Sequence, residues 1–172
     1  MTYYKLATRN LFFSVGSRRI STKPKIGKVN VLVLNAGSSS FKFGLFSVSS
    51  RPSGHDWLPK DSTLLASGSV EQIGVRGAKP NLVTLQVPGR TAVKYNPAKQ
   101  IKDCQEAFTE TMTLLTNPDH GLLTSTADIG AVGHRVAHGG DMARALVIDD
   151  AAVARIRKAA QWAPLHNPAN LA

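Results

Sequence analysis

The stretch from Val29 to Val48 constrains this chain more than any other. Val29–Leu34 (VNVLVL) is a short run rich in β-branched residues, the pattern of a buried strand. Asn35-Ala36-Gly37-Ser38-Ser39-Ser40 is turn chemistry. Phe41–Val48 then partly alternates, with Phe41, Phe43 and Leu45 set against Lys42, Gly44 and Phe46. Strand, polar turn and strand predict a hairpin. The chain must bury at least one face of it.

The remaining pattern is mixed α/β. Residues 64–70, 82–87 and 91–95 read as further strands separated by Gly and Pro, after an exposed loop over Ser49–Ser62. Ile101, Cys104, Phe108, Met112 and Leu115 recur at helical spacing until Asn117-Pro118. Ile129–Val136 reads as a strand running into Gly139-Gly140. Asp149 and Asp150 open a helix with Ala152, Ile156, Ala159 and Ala163 on its apolar face, and Pro164 stops it. Asn167-Pro168 predicts a cap and the start of another helix, close to the final residue Ala172. A helix announced so near the end suggests a truncated product.

Charge divides the chain. Of 21 Lys and Arg, seven lie in residues 1–28 (Lys5, Arg9, Arg18, Arg19, Lys23, Lys25 and Lys28), with no acid among them. The rest carries 14 cations against 11 anions. The body is therefore no basic nucleic-acid-binding domain, and it shows no zinc-finger spacing. Leu6, Leu11, Phe12 and Phe13 can form one apolar face among those cations, which suits a mitochondrial-type transit peptide. A disordered basic extension is the alternative, so residues 1–28 are set apart from the fold. The expected location is mitochondrial with a functioning leader and cytoplasmic without one. No apolar run approaches the roughly 20 residues of a membrane-spanning helix. The single cysteine, Cys104, excludes an intramolecular disulfide and a thiolate zinc site, and fits a reducing compartment.

Three stretches carry chemistry. In Val31–Lys42 the Gly/Ser turn can aim backbone N–H groups at an anion, Ser38, Ser39 and Ser40 add hydroxyls, and Lys42 adds a point charge. Asn35 offers a neutral oxygen to a hydrated Mg²⁺. An ordinary hairpin turn with solvent-facing serines fits equally. No Walker A motif is present. In Gly133-His134-Arg135-Val136-Ala137-His138-Gly139-Gly140, Arg135 offers a planar fork to a carboxylate or phosphate. His134 and His138 would stand roughly 13 Å apart along a strand, too far for one metal ion, so each reads as a hydrogen-bonded structural group. In Ala163-Pro164-Leu165-His166-Asn167-Pro168-Ala169-Asn170, His166 precedes a helix N-terminus that favours anions, or is part of a plain connecting turn.

Together these stretches resemble the acetate kinases and related short-chain acyl kinases. VLVLNAGSSSFK resembles the family's first signature, GHRVAHGG its second and APLHNPAN its third block, in that order, over about Val29–Ala172. The resemblance implies an α/β fold, a ribonuclease-H-like domain of the acetate and sugar kinase/Hsp70/actin superfamily, with 29–172 as the N-terminal part of such an enzyme. It implies reversible, Mg²⁺-dependent phosphoryl transfer from ATP to acetate, giving acetyl phosphate and ADP, in a homodimer without nucleic-acid or membrane partners. It places Asn35 at the Mg²⁺ site, Lys42, Ser38 and Ser40 on ATP phosphate, Arg135 on acetate or acetyl phosphate, and His166 on the phosphoryl group in flight. Ala137 and Leu165 would line the pocket for the substrate methyl. Family members usually carry valine where Ala137 stands, so propionate is expected to be tolerated better. The loop at Arg51–Lys60 is longer and more polar than the resemblance leads one to expect. The family's catalytic aspartate, second arginine, further histidine and magnesium-binding glutamate fall beyond the third block. An inactive fragment, or a non-catalytic phosphate- or nucleotide-binding remnant of the fold, is therefore expected.

Overall fold

The computed structural model describes residues 11–14, 27–49, 62–75, 80–142 and 144–171. Its centre is the expected hairpin. Strand β2 (Lys28–Ala36) pairs antiparallel with β3 (Ser40–Ser49), Leu34 opposite Phe43 and Leu32 opposite Leu45. β4 (Ser62–Glu71), β5 (Leu82–Gln86) and β6 (Val93–Tyr95) continue the antiparallel sheet. The chain then returns through helix α1 (Cys104–Thr116) to β7 (Ile129–Arg135), which lies parallel to β2. With β1 (Leu11–Ser14) on the outside of β7, the order is β1-β7-β2-β3-β4-β5-β6.

One expectation changes here. Leu11–Ser14 lies inside the segment set apart as a leader, yet it joins the sheet as an extended strand, Leu11 opposite Arg135. The apolar triplet Leu11-Phe12-Phe13 suits a strand as well as a helix face, and β7 offers it an edge of unpaired backbone groups. Leu6, most of the leader and the loop at Arg51–Lys60 lie outside the described residues.

Strand alternation explains the layering. Leu32, Leu34, Phe41, Phe43, Leu45, Val70, Val83 and Leu85 face one way and bury against Ala107, Met112 and Leu115 of α1. Asp103 caps that helix, its carboxylate accepting from the Glu106 N–H at 2.8 Å. Gly68 lets the core close, because a Cβ there would lie 2.2 Å from the Thr84 carbonyl oxygen and 2.4 Å from the Phe43 ring. Val31, Val33, Phe46, Val48 and Ala131 form a smaller cluster on the opposite face. Past β7, helix α2 (Asp150–Ala159) is capped by Asp149, and a 3-10 turn (Ala160–Trp162) leads toward α3 (Asn167–Leu171). Ala152, Ile156 and Ala159 are buried as their spacing predicts, whereas Ala163 falls beyond α2. No helix among the described residues is long and apolar enough to cross a membrane.

Candidate functional site

The turn between β2 and β3 is closed by the Gly37 N–H, which donates to the Ser40 carbonyl at 2.7 Å. Glycine eases this approach, since a Cβ at Gly37 would sit 3.2 Å from that oxygen and the turn would have to open by a few tenths of an ångström. Residues 37–40 all keep negative φ, so the alternating-hand form of an anion nest does not arise, and the Gly37 N–H is already engaged. The turn is braced from outside. The Ile73 N–H donates to the Ser39 carbonyl at 2.9 Å, and the Cys104 thiol points at the Gly37 carbonyl at 3.8 Å. Burial, and then the charge of Asp103, push the Cys104 pKa up. Ser38 and Ser39 remain exposed and Ser40 half-buried.

Sheet register assembles the charged groups. Asn35 stands opposite Lys42, and Lys42 opposite Ser69. Leu34 is level with His134, so Asn35 and Arg135 are neighbours one step further along the parallel pair. Leu34, Phe41 and Phe43 point into the main core, so Asn35 and Lys42 point the other way. Arg135 follows Ala131 and Gly133 onto that same face. Arg135, Asn35 and Lys42 thus form one row across three adjacent strands, spaced about 4.8 Å strand to strand. Arg135 and Lys42 are exposed, and neither is paired with a carboxylate among the described residues. Two free cations flanking an amide suit an oxyanion.

The second and third motifs meet this row through side-chain amides. Asn170 donates from Nδ2 to the Ala36 carbonyl at 2.6 Å and accepts from the Ala137 N–H at 3.0 Å. Fully buried Asn167 accepts from the His138 N–H at 3.0 Å and donates to the His138 carbonyl at 2.8 Å and the Ile156 carbonyl at 3.2 Å. Asn167 is therefore not the side-chain cap its place before Pro168 suggests; its amide is engaged by the neighbouring loop. An Asn three residues from another on one helix shares its face, and that spacing was the available signal for both clips.

The two histidines separate. His138 accepts from the Gly140 N–H at 3.1 Å and packs against Trp162 with ring centroids 5.4 Å apart, a structural group as expected. His134 departs from that expectation. Its Nε2 is buried with no hydrogen-bond partner among the described residues, and burial lowers its pKa. Leu165 and His166 lie on the turn before α3. Leu165 is 74% exposed, so it does not close a wall of a methyl pocket with half-buried Ala137. Among the described residues, nothing covers Leu165 or His166 on that turn.

Magnesium favours six oxygens, commonly one or two carboxylates with substrate phosphates and water. The row offers one neutral amide oxygen between two cations, and the described residues hold no group of three metal-ligating side chains. These residues do not make a magnesium cage. A hollow of about 560 Å³ lined by Thr116, Leu122, Thr124 and Asp128 lies at the start of β7, the opposite end from Arg135. Its one carboxylate, Asp128, is engaged by Thr124 and Ser125.

A five-stranded antiparallel meander (β2–β6) joined by a helix to a strand parallel to its first, with its polar row at the carboxyl ends of β2 and β7, places the chain in the α/β fold of actin, Hsp70 and the sugar kinases. Solved structures agree. The Porphyromonas gingivalis acetate kinase superposes with a TM-score of 0.68 at 33% identity, over 83% of this chain and 32% of that one. A propionate kinase from Francisella tularensis gives 0.61 at 28% identity over the same shares. The chain belongs to the Acetokinase family, whose sequence model matches residues 30–172. It is 38% identical to the acetate kinase of Finegoldia magna over 144 residues, 83% of this chain and 32% of that enzyme. It is 39% identical to that of Heliobacterium modesticaldum over 139 residues, 80% and 31% respectively. The chain thus spans about a third of the length of these relatives.

Proposed function

We propose that this chain supplies one side of an acetate kinase-type site, where a phosphoryl group passes reversibly between ATP and acetate. The row Arg135–Asn35–Lys42 carries the reading. A carboxylate oxygen of acetate attacks the γ-phosphorus, the bond to the ADP oxygen breaks, and acetyl phosphate and ADP result. Such transfer needs alignment and charge neutralisation more than covalent chemistry. In this reading Arg135 holds the acetate or acetyl phosphate anion, Lys42 the ATP phosphates, Ser38 and Ser40 the rim of the phosphate turn, and His166 the moving phosphoryl group. Asn35 offers its amide N–H to the phosphate between the two cations. Ala137 borders the acyl methyl.

The test is a nuclear magnetic resonance titration of the chain with ATP and, separately, with acetyl phosphate. Shifts should concentrate at Asn35, Ser38–Lys42 and Arg135, and Arg135→Ala should remove the response to acetyl phosphate. Shifts scattered elsewhere would sink the reading. Because these residues lack a carboxylate cage for the metal, the 172 residues taken alone should form no acetyl hydroxamate above an Arg135→Ala control.

Ala137, with a smaller side chain than valine, favours a slightly larger acyl group. One methylene in a pocket is worth about 1–3 kcal/mol. In an active protein carrying these residues, Ala137→Val should lower the propionate-to-acetate ratio of kcat/KM. An unchanged ratio would reject this.

A further inference from the structure

We propose that Asn170 is a positioning residue that fixes Arg135 against Asn35; the inference rests on the phosphoryl-transfer reading above. The last described register pair between β2 and β7 is Leu34 with His134. Asn35 and Arg135 come one step later, just where pairing stops. At that point the carboxamide of Asn170 sits between the two strands. Its Nδ2 donates to the carbonyl of Ala36, the residue after Asn35, and its Oδ1 accepts from the N–H of Ala137, two residues after Arg135.

A primary amide carries the same donor and acceptor as a peptide unit. Asn170 therefore adds one rung of side-chain origin where the backbone ladder has run out. Ala36 is buried and Ala137 and Asn170 are half-buried, so water competes weakly for these bonds. One helical turn earlier, Asn167 grips both backbone groups of His138, which holds α3 at the height that delivers Asn170. The turn bearing His166 is carried by the same short helix, and the His166 carbonyl accepts from the Asn170 N–H at 3.0 Å. One side chain thus ties together the ends of all three motifs.

The consequence is specific to a rigid ligand. A guanidinium fork must be aimed to bind an oxyanion with two parallel bonds, whereas a lysine ammonium on a flexible stem need not be. Losing Asn170 should therefore matter with arginine at 135 and matter little with lysine there. The experiment is a titration of the chain with inorganic phosphate at fixed ionic strength, followed at the Asn35 and Arg135 resonances. Asn170→Ala should weaken phosphate about tenfold in the parent background and less than about threefold in the Arg135→Lys background. Amide exchange at Ala137 should speed up in the same variant. Equal losses in both backgrounds, or unchanged exchange at Ala137, would overturn the positioning role while leaving the kinase reading intact. No response of Asn35 or Arg135 to phosphate in the parent chain would overturn that reading, and this inference with it. Should Asn170→Ala not fold, Asn170→Ser, whose hydroxyl still reaches one partner, decides by the same comparison.

Discussion

Between β2–β5 and α1 lie seventeen buried apolar side chains in one cluster, while the cluster after β7 is built on three, Val136, Met142 and Ile156. The first region is held by burial, which is large, additive and indifferent to direction. The second is held at defined points by Asn167 and Asn170, whose bonds are individually small but fix distance and angle. The difference matters for a site that must align groups from both. The wall keeps Asn35 and Lys42 in place without polar help, and the amides bring the other motifs to it.

Gly68→Ala should break the wall most completely. The Thr84 carbonyl in the way is backbone, so the strand itself must shift, and we expect a loss above about 4 kcal/mol or no cooperative unfolding by denaturant. Trimming the ring as well, in Gly68→Ala with Phe43→Leu, should not rescue it. Leu45→Ala comes next, at about 3 kcal/mol, because Leu45 is fully buried. Asn167→Ala sharpens the comparison. It strands three backbone groups and should cost about 2 kcal/mol. The loss should be local: hydrogen exchange should rise over residues 136–142 and 150–171 while β2–β5 stay protected. Equal deprotection of both regions would erase the distinction.

The smallest effect is with pH. Burial depresses the His134 pKa below its ordinary 6.5 in the folded chain, so the unfolded chain binds the proton more readily. Its contribution is complete above about pH 6.5 and is lost as the pH falls through the folded value. Denaturation midpoints should drop between pH 7 and pH 5, and His134→Leu should flatten part of that slope. An identical slope in the variant would mean that other groups carry it.

Much of the wall was readable because it is periodic. The valine run of β2, the alternation of β3 and the spacing of Met112 and Leu115 each state a buried face locally, although Phe108, counted on the same helix face, is exposed and Ala107 takes the buried place beside it. The charged row was half readable. Asn35, Lys42 and Arg135 stood out by chemistry and by the family resemblance, but their common row depends on register between strands roughly 100 residues apart in the chain, which no local pattern encodes. Leu11–Ser14 was set apart from the fold because its basic surroundings look like a leader, and its strand pairing depends on the free edge of β7. Asn167 does mark a helix start, as Asn before Pro suggests, but its side chain is not the cap. Its real partners lie 29 residues back along the chain. Asn81, which ties Gln72 to Ile101 beneath the turn's brace, gave no signal at all.

The chain's one sulfhydryl turns out to be a gauge. Cys104 rests against the carbonyl of Gly37, and its raised pKa keeps it protonated and slow to react at neutral pH. A thiol-directed dye would then label it mainly when the hydroxyl-bearing bend swings away, so the labelling rate counts those excursions. An anion settling into the bend should slow the clock, giving an optical readout of occupancy without any engineered tag.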